Sequence, residues 1–152
     1  MPRLIKQGSI IDDAWIPLNP DIALPAPGQI CNLVQWLQLA NKRGSAVLLE
    51  ADQEPAPLFN DLEHIALVVV SFPMFTDGRG FSYARELREH GYKGELRASG
   101  KIIRDQLTYL RRCGFDAFQL PHESGLEAAL ASLRDFSECY QAAIDQPLPL
   151  FR

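Results

Sequence analysis

Apolar positions in this 152-residue chain fall into short blocks whose period changes along the sequence. The block IALVVVSF (65–72) is apolar at nearly every position and does not alternate, which predicts a strand buried on both faces. AVLLE (46–50), ELRA (95–98) and AFQL (117–120) predict further short strands. Elsewhere the period is helical. Ile30, Leu33, Val34 and Leu37 keep an i, i+3, i+4, i+7 spacing, predicting a helix that ends by Gly44. A second helix is expected over 81–90, and a third over 101–112 with Ile103, Leu107 and Leu110 on one face. A fourth starts at Ser124-Gly125-Leu126-Glu127, which has the form of a capping box. Its inner stripe is Leu126, Ala129, Leu130, Leu133, Phe136 and Tyr140. One helical turn is expected at 58–62.

Turn residues organise the ends. RLIK and IIDDAWIPL flank Gly8-Ser9 and predict a hairpin. NPDIALPAPG, with three prolines and a glycine, is a loop. DQPLPLFR cannot stay helical past its prolines.

One internal repeat decides the fold class. LREHGYKGELR (87–97) aligns with LRRCGFDAFQL (110–120) at an offset of 23, both reading Leu-Arg-x-x-Gly-aromatic before a strand. The glycine stops the helix by accepting positive φ. LANKRGSAVLL (39–49) is a weaker third copy. Repeated helix–Gly–strand units give an α/β fold of βα modules with a mainly parallel sheet, either doubly wound or a partial barrel. The expected organisation is one domain over 1–152: hairpin and loop 1–27, βα core 28–145, tail 146–152.

Composition is that of an ordinary soluble domain, at 47% hydrophobic and 22% charged. The N-terminus has no apolar core of signal-peptide length, and no apolar run could span a bilayer, so a cytoplasmic protein away from membranes is expected. Cys31, Cys113 and Cys139 are far apart, with no C-x-x-C, and read as three buried free thiols with no metal site. Net charge is −4, yet residues 79–112 hold nine Lys/Arg against four acids, so that segment is +5 and the rest −9. An acidic chain with one basic segment argues against general nucleic-acid binding. It suits a local anion site or an acidic protein partner, although a solvated face of mixed charge would look the same.

In parallel α/β folds ligands bind beyond the carboxyl ends of the strands. Three loops are expected there: PMFTDGRGFS (73–82), ASGK (98–101) and PHESG (121–125). Helix amides and dipoles at such loops favour anions. Gly78, Arg79, Gly80, Arg97, Ser99 and Lys101 are therefore the candidate anion-binding residues, for a group the size of sulfite, sulfate or phosphate. Asp77 and His122 are the candidates for proton transfer. Arg97, inside a strand, needs a partner, for which Glu95, Asp77 and Asp105 are available. Gln106 falls inside an apolar arc and is expected to be satisfied structurally, with Asp105 beside it in a supporting role. Tight-turn geometry and a salt bridge to Asp77 are the bland explanation of the glycines and of Arg79. There is no Walker motif, dinucleotide fingerprint or H-E-x-x-H, and no particular cofactor is implied.

Residues 72–120 resemble the core signature of the bacterial domain-of-unknown-function family 934. The pattern F-x-x-F-x-D-G-R-G-[FY]-S, A-R-x-L-R, G-Y-x-G-E-L-R-A, D-Q and R-C-G-F-D is matched by Phe72, Phe75, 77–82, Ala84, Arg85, Leu87, Arg88, Gly91, Tyr92, 94–98, Asp105, Gln106 and 112–116. The close match covers about a third of the chain, and the flanks, including PLFR, agree in layout. Members carry the label of oxidoreductases of sulfite reduction, which rests on genes lying beside a sulfite reductase haemoprotein. The resemblance thus implies an accessory protein of assimilatory sulfite reduction, with that haemoprotein as partner. A small α/β enzyme on a phosphorylated or sulfur-oxyanion substrate, and a non-catalytic interaction module, are the alternatives. The residues show no C-x-x-C or Fe–S cysteine set that would make this chain a redox catalyst by itself.

Overall fold

The computed structural model describes residues 2–21, 25–74 and 76–135. Its elements are β1 (Arg3–Lys6), β2 (Ser9–Asp12), β3 (Ile30–Asn32), α1 (Leu33–Leu37), β4 (Ser45–Leu49), β5 (Ile65–Phe72), α2 (Arg79–Glu89), β6 (Glu95–Gly100), α3 (Leu107–Cys113), β7 (Ala117–Phe118) and α4 (Leu126–Asp135). A nine-residue 3-10 helix, Ala56–His64, joins β4 to β5.

The seven strands lie in the order β2-β1-β7-β6-β5-β4-β3. The strands from β3 to β7 are parallel and neighbour one another in chain order. Right-handed crossovers that always step the same way put every helix on one face. The buried side chains of α2, α3 and α4 accordingly share one core with Val68, Val70, Phe72, Leu96, Ala98 and Phe118. This is the winding of a partial barrel, not of a doubly wound sheet, whose strand order would reverse. The hairpin β1–β2 turns at Gln7 and Gly8, both at positive φ, and β1 extends the sheet antiparallel to β7.

One expected helix is a strand at its start. Ile30 does not belong to a helix running to Gly44; it pairs with Ala46 on the parallel edge. Asn32 caps the short α1 reciprocally with Gln35, at 2.8 Å in each direction. The apolar pattern misled because it does not mark the packed face: Val34 and Leu37 are 60% and 51% exposed, while Trp36 is fully buried. The third helix is also shorter than expected. Residues 101–103 are irregular, and a 3-10 turn, Arg104–Gln106, leads into α3. At the fourth helix the 3-10 turn Glu123–Gly125 precedes α4, and Ser124 and Glu127 form no capping box. Phe136, Cys139, Tyr140 and the tail lie outside the described residues; Cys31 and Cys113 are buried free thiols.

The repeat builds two matching corners. Tyr92 N donates to Leu87 O and Gly91 N to Arg88 O, each at 3.0 Å. Phe115 N donates to Leu110 O at 3.2 Å and Gly114 N to Arg111 O at 3.0 Å. Both are Schellman closures, which need positive φ at the glycine: 96° at Gly91 and 123° at Gly114. Arg88 ties the two corners together, donating to Gly114 O, Tyr92 O and Gly94 O, each at 2.9 Å. The 39–49 copy builds no such corner, since α1 ends at Leu37, well before Gly44.

Candidate functional site

The face of the sheet away from the helices carries Ile30, Ala46, Leu67 and Val69, with Trp15 and Leu48 packed on them. Register places Arg97 on this face, beside Val69 and, across Ala117, in line with Lys6. Arg97 is 1% exposed. Its Nε and Nη2 donate to Glu95 Oε2 at 3.0 and 2.8 Å, and its Nη1 donates to Asp13 Oδ2 at 3.1 Å. Lys6 Nζ completes the set at 2.9 Å from Glu95 Oε1. Two cations and two carboxylates thus neutralise one another beneath the segment that follows the hairpin. Of the three partners expected for Arg97, Glu95 is used; Asp13 replaces Asp77 and Asp105. The guanidinium faces its carboxylates rather than the strand ends.

The strand-end edge is built by the loops after β5, β6 and β7. Arg79 opens α2 there, and its pairing with Asp77 is complete: Nε to Oδ1 at 3.1 Å, Nη2 to Oδ2 at 2.7 Å, and backbone N to Oδ1 at 3.0 Å. The Arg79 guanidinium holds the Asp77 carboxyl down at about 2. The Asp77 carboxylate therefore occupies the helix N-terminus where an external anion was expected. Arg79 nonetheless remains 55% exposed on its outer side.

The two glycines of Asp77-Gly-Arg-Gly80 have different reasons. A Cβ at Gly80 would fall 2.5 Å from Phe72 Cζ and 3.0 Å from Val70 Cγ1, so α2 approaches β5 through the missing side chain. At Gly78 φ is −87° and nothing lies within 4 Å, so neither backbone nor space calls for glycine. Gly100, at φ 93°, lies against the Phe72 carbonyl and lets Lys101 N donate to Phe72 O at 2.7 Å.

Lys101 is exposed beyond β6, and Ser99 is half-buried on the same strand. The side chain of His122, exposed after β7, makes no hydrogen bond or ion pair among the described residues; its carbonyl accepts from Gly125 N at 3.4 Å. His122 follows β7 and Asp77 follows β5, two strands away, and no hydrogen bond or ion pair joins the two. The structure thus does not bring the two candidate proton carriers into one pair. Glu123 beside it accepts from Arg3 N and Nε at 3.2 and 3.3 Å. Asp105 is exposed, and Gln106 Oε1 accepts from Ile103 N at 3.2 Å, a structural use.

Sequence reasoning missed the apolar part of this edge. Met74, Ile103 and Tyr109 are 53%, 42% and 45% exposed. Tyr109 packs tilted against Phe81 at 5.0 Å, and Phe81 likewise against Phe72 at 5.3 Å, a row of rings running from the core to the surface. Exposed Arg85 stands beside Tyr109. Ile103, expected on the inner face of the third helix with Leu107 and Leu110, precedes α3 in the irregular 101–103 segment, which frees it from that face.

Among the described residues no group of three His, Cys, Asp or Glu could hold a metal ion. No helix among them is long and apolar enough to cross a membrane. The family described as bacterial protein of unknown function (DUF934) matches residues 46–151, more than half of the chain. No curated protein and no solved structure matches.

Proposed function

The chain belongs to the DUF934 family of bacterial proteins, and on that footing we propose that it is an accessory protein of assimilatory sulfite reduction, docking on the sulfite reductase haemoprotein through its strand-end edge. The observation that carries this reading is the mixture of side chains there. Exposed Met74, Ile103 and Tyr109 stand among exposed Arg79, Lys101 and Arg104. Aromatic, Met and Arg side chains are those enriched where proteins meet, and the charges on this edge, with exposed Asp52, Glu54 and Asp105 beside the cations, are of both signs and suit a partner of complementary charge pattern. The choice of partner rests on the resemblance of residues 72–120 and the label that family carries.

Oxyanion binding at the same edge has less support. Arg97 is neutralised within the sheet, and Asp77 takes the helix N-terminus. A catalytic role has less still, since Asp77 is paired with Arg79 and no bond joins it to His122.

Deletion of the gene tests the physiological part. The deletant should grow poorly on sulfate or sulfite and normally on sulfide. Normal growth on sulfate would remove the link to sulfite reduction.

A further inference from the structure

At the amino ends of β3 and β4, the other ends of the strands from the docking edge, a cleft of about 300 Å³ opens between residues 25–31 and 39–45. Backbone bonds fix its frame. Ile16 N donates to Gly28 O and Ile30 N to Ile16 O, each at 2.9 Å, and Gly44 N donates to His64 O at 2.7 Å. Pro25, Pro27 and Leu39 supply apolar lining, with Gln29, Asn41 and Arg43 among the polar lining.

Gln29 is only 7% exposed. Its Oε1 accepts from Ala26 N at 3.1 Å, and its own N donates to Ala26 O at 3.1 Å. The first bond fixes which way the carboxamide faces, since a nitrogen in place of Oε1 would set donor against donor. Nε2 is left without a hydrogen-bond partner among the described residues, yet it is not sealed from solvent. Polar groups so nearly buried are normally matched by an acceptor. Asn41 Oδ1 accepts from Arg43 N at 3.0 Å, which turns its Nδ2 outward as a second donor. Arg43 is exposed, and its guanidinium makes no hydrogen bond or ion pair among the described residues. None of the described residues lining the cleft is acidic. Asp61 lines an adjoining hollow with Asn41 and Arg43 but forms no ion pair with Arg43.

We propose that this cleft binds a small carboxylate on a compact apolar body, with Gln29 Nε2 and the Arg43 guanidinium as its donors. A lining of donors with no acid among them selects an acceptor that carries negative charge, and a guanidinium fits a carboxylate with two parallel bonds. The proline and leucine lining selects an apolar body over a bare oxyanion. The volume is at the lower end for small-molecule sites, which limits the ligand to the size of a single ring or a short chain.

Benzoate is the probe, with benzyl alcohol and inorganic phosphate as controls that each lack one half of the chemistry. Titrated into the full chain, benzoate should raise the melting temperature saturably, by mass action. The controls should do so far less. In NMR the side-chain amide protons of Gln29 should shift along the same binding curve. Arg43→Gln, at an exposed position, should keep the parent's melting temperature and bind benzoate about tenfold more weakly, the worth of a charge-assisted hydrogen bond. Gln29→Glu keeps the acceptor for Ala26 N and sets a carboxylate where Nε2 stood, so it should abolish binding. The proposal is overturned if benzoate gives no saturable shift, if benzyl alcohol or phosphate equals it, if the Gln29 amide does not respond, or if either variant binds benzoate like the parent.

Discussion

Asp13 Oδ2 lies 3.1 Å from Arg97 Nη1 across 84 positions of sequence, and the contact clamps the segment after the hairpin to the sheet. Removing one partner of a buried ion pair leaves the other charge without compensation. Arg97→Met should therefore cost about 3–5 kcal/mol, because it leaves Asp13 without its cation and Glu95 with Lys6 alone. Asp13→Asn, which keeps an oxygen acceptor, should cost less. Urea unfolding of the two variants measures this, and a loss under about 1 kcal/mol for Arg97→Met would show that the network contributes little.

Gly80 and Gly78 should separate cleanly. Gly80→Ala forces a methyl to within 2.5 Å of Phe72 Cζ. That ring is itself wedged between Phe81 and Phe115, at 5.3 and 5.9 Å, and cannot swing away. Overpacking of this kind costs about 1–3 kcal/mol. Gly78→Ala meets nothing and needs no positive φ, so it should stay within about 0.5 kcal/mol of the parent or gain slightly. Equal losses at both positions would refute the steric account of Gly80.

The two Schellman glycines give a graded pair. Gly91→Ala pays only for positive φ, about 1–2 kcal/mol, since its Cβ would meet open space. Gly114→Ala adds a contact of 2.6 Å with Arg88 Cγ, and so disturbs the side chain that joins both corners. It should be the more harmful of the two by thermal unfolding; the reverse order would mean that Arg88 moves freely.

Asp77 should titrate near its depressed value of about 2 because its partner Arg79 favours the ionised form. A lowered folded pKa means that the stabilisation is present above the unfolded value of 3.8 and is lost as pH falls toward 2. Asp116 runs the other way: burial raises its pKa, so in the window just above its ordinary value stability rises as pH falls. Carboxyl NMR should show Asp77 returning toward its ordinary range in Arg79→Ala. An unchanged midpoint would remove Arg79 as the cause.

The elements with strong local signals were legible. IALVVVSF is β5 over the full expected span, and the Leu-Arg-x-x-Gly-aromatic repeat is a pair of identical helix stops. Partial-barrel winding was left open because strand order depends on which units become neighbours, not on any one unit. The start of the first helix was misread because Ile30 serves a three-residue edge strand, too short to show its own period. Asp13 could not be found as the partner of Arg97, since nothing local to Asp12-Asp13 marks one carboxylate as buried and the other as exposed. Asp77 with Arg79 was legible, because an Asp two residues before the first helical turn can reach both the helix amide and the guanidinium.

Direct titration of the purified chain onto purified sulfite reductase haemoprotein tests the central claim. Binding should saturate at low salt and weaken as salt rises, as complementary surface charges require. The double variant Lys101→Glu/Tyr109→Ala, shown by circular dichroism to be folded, should bind at least about tenfold more weakly, the equivalent of one 1.4 kcal/mol hot spot. Absence of binding at low salt, or binding that the double variant leaves unchanged, would contradict docking through the strand-end edge.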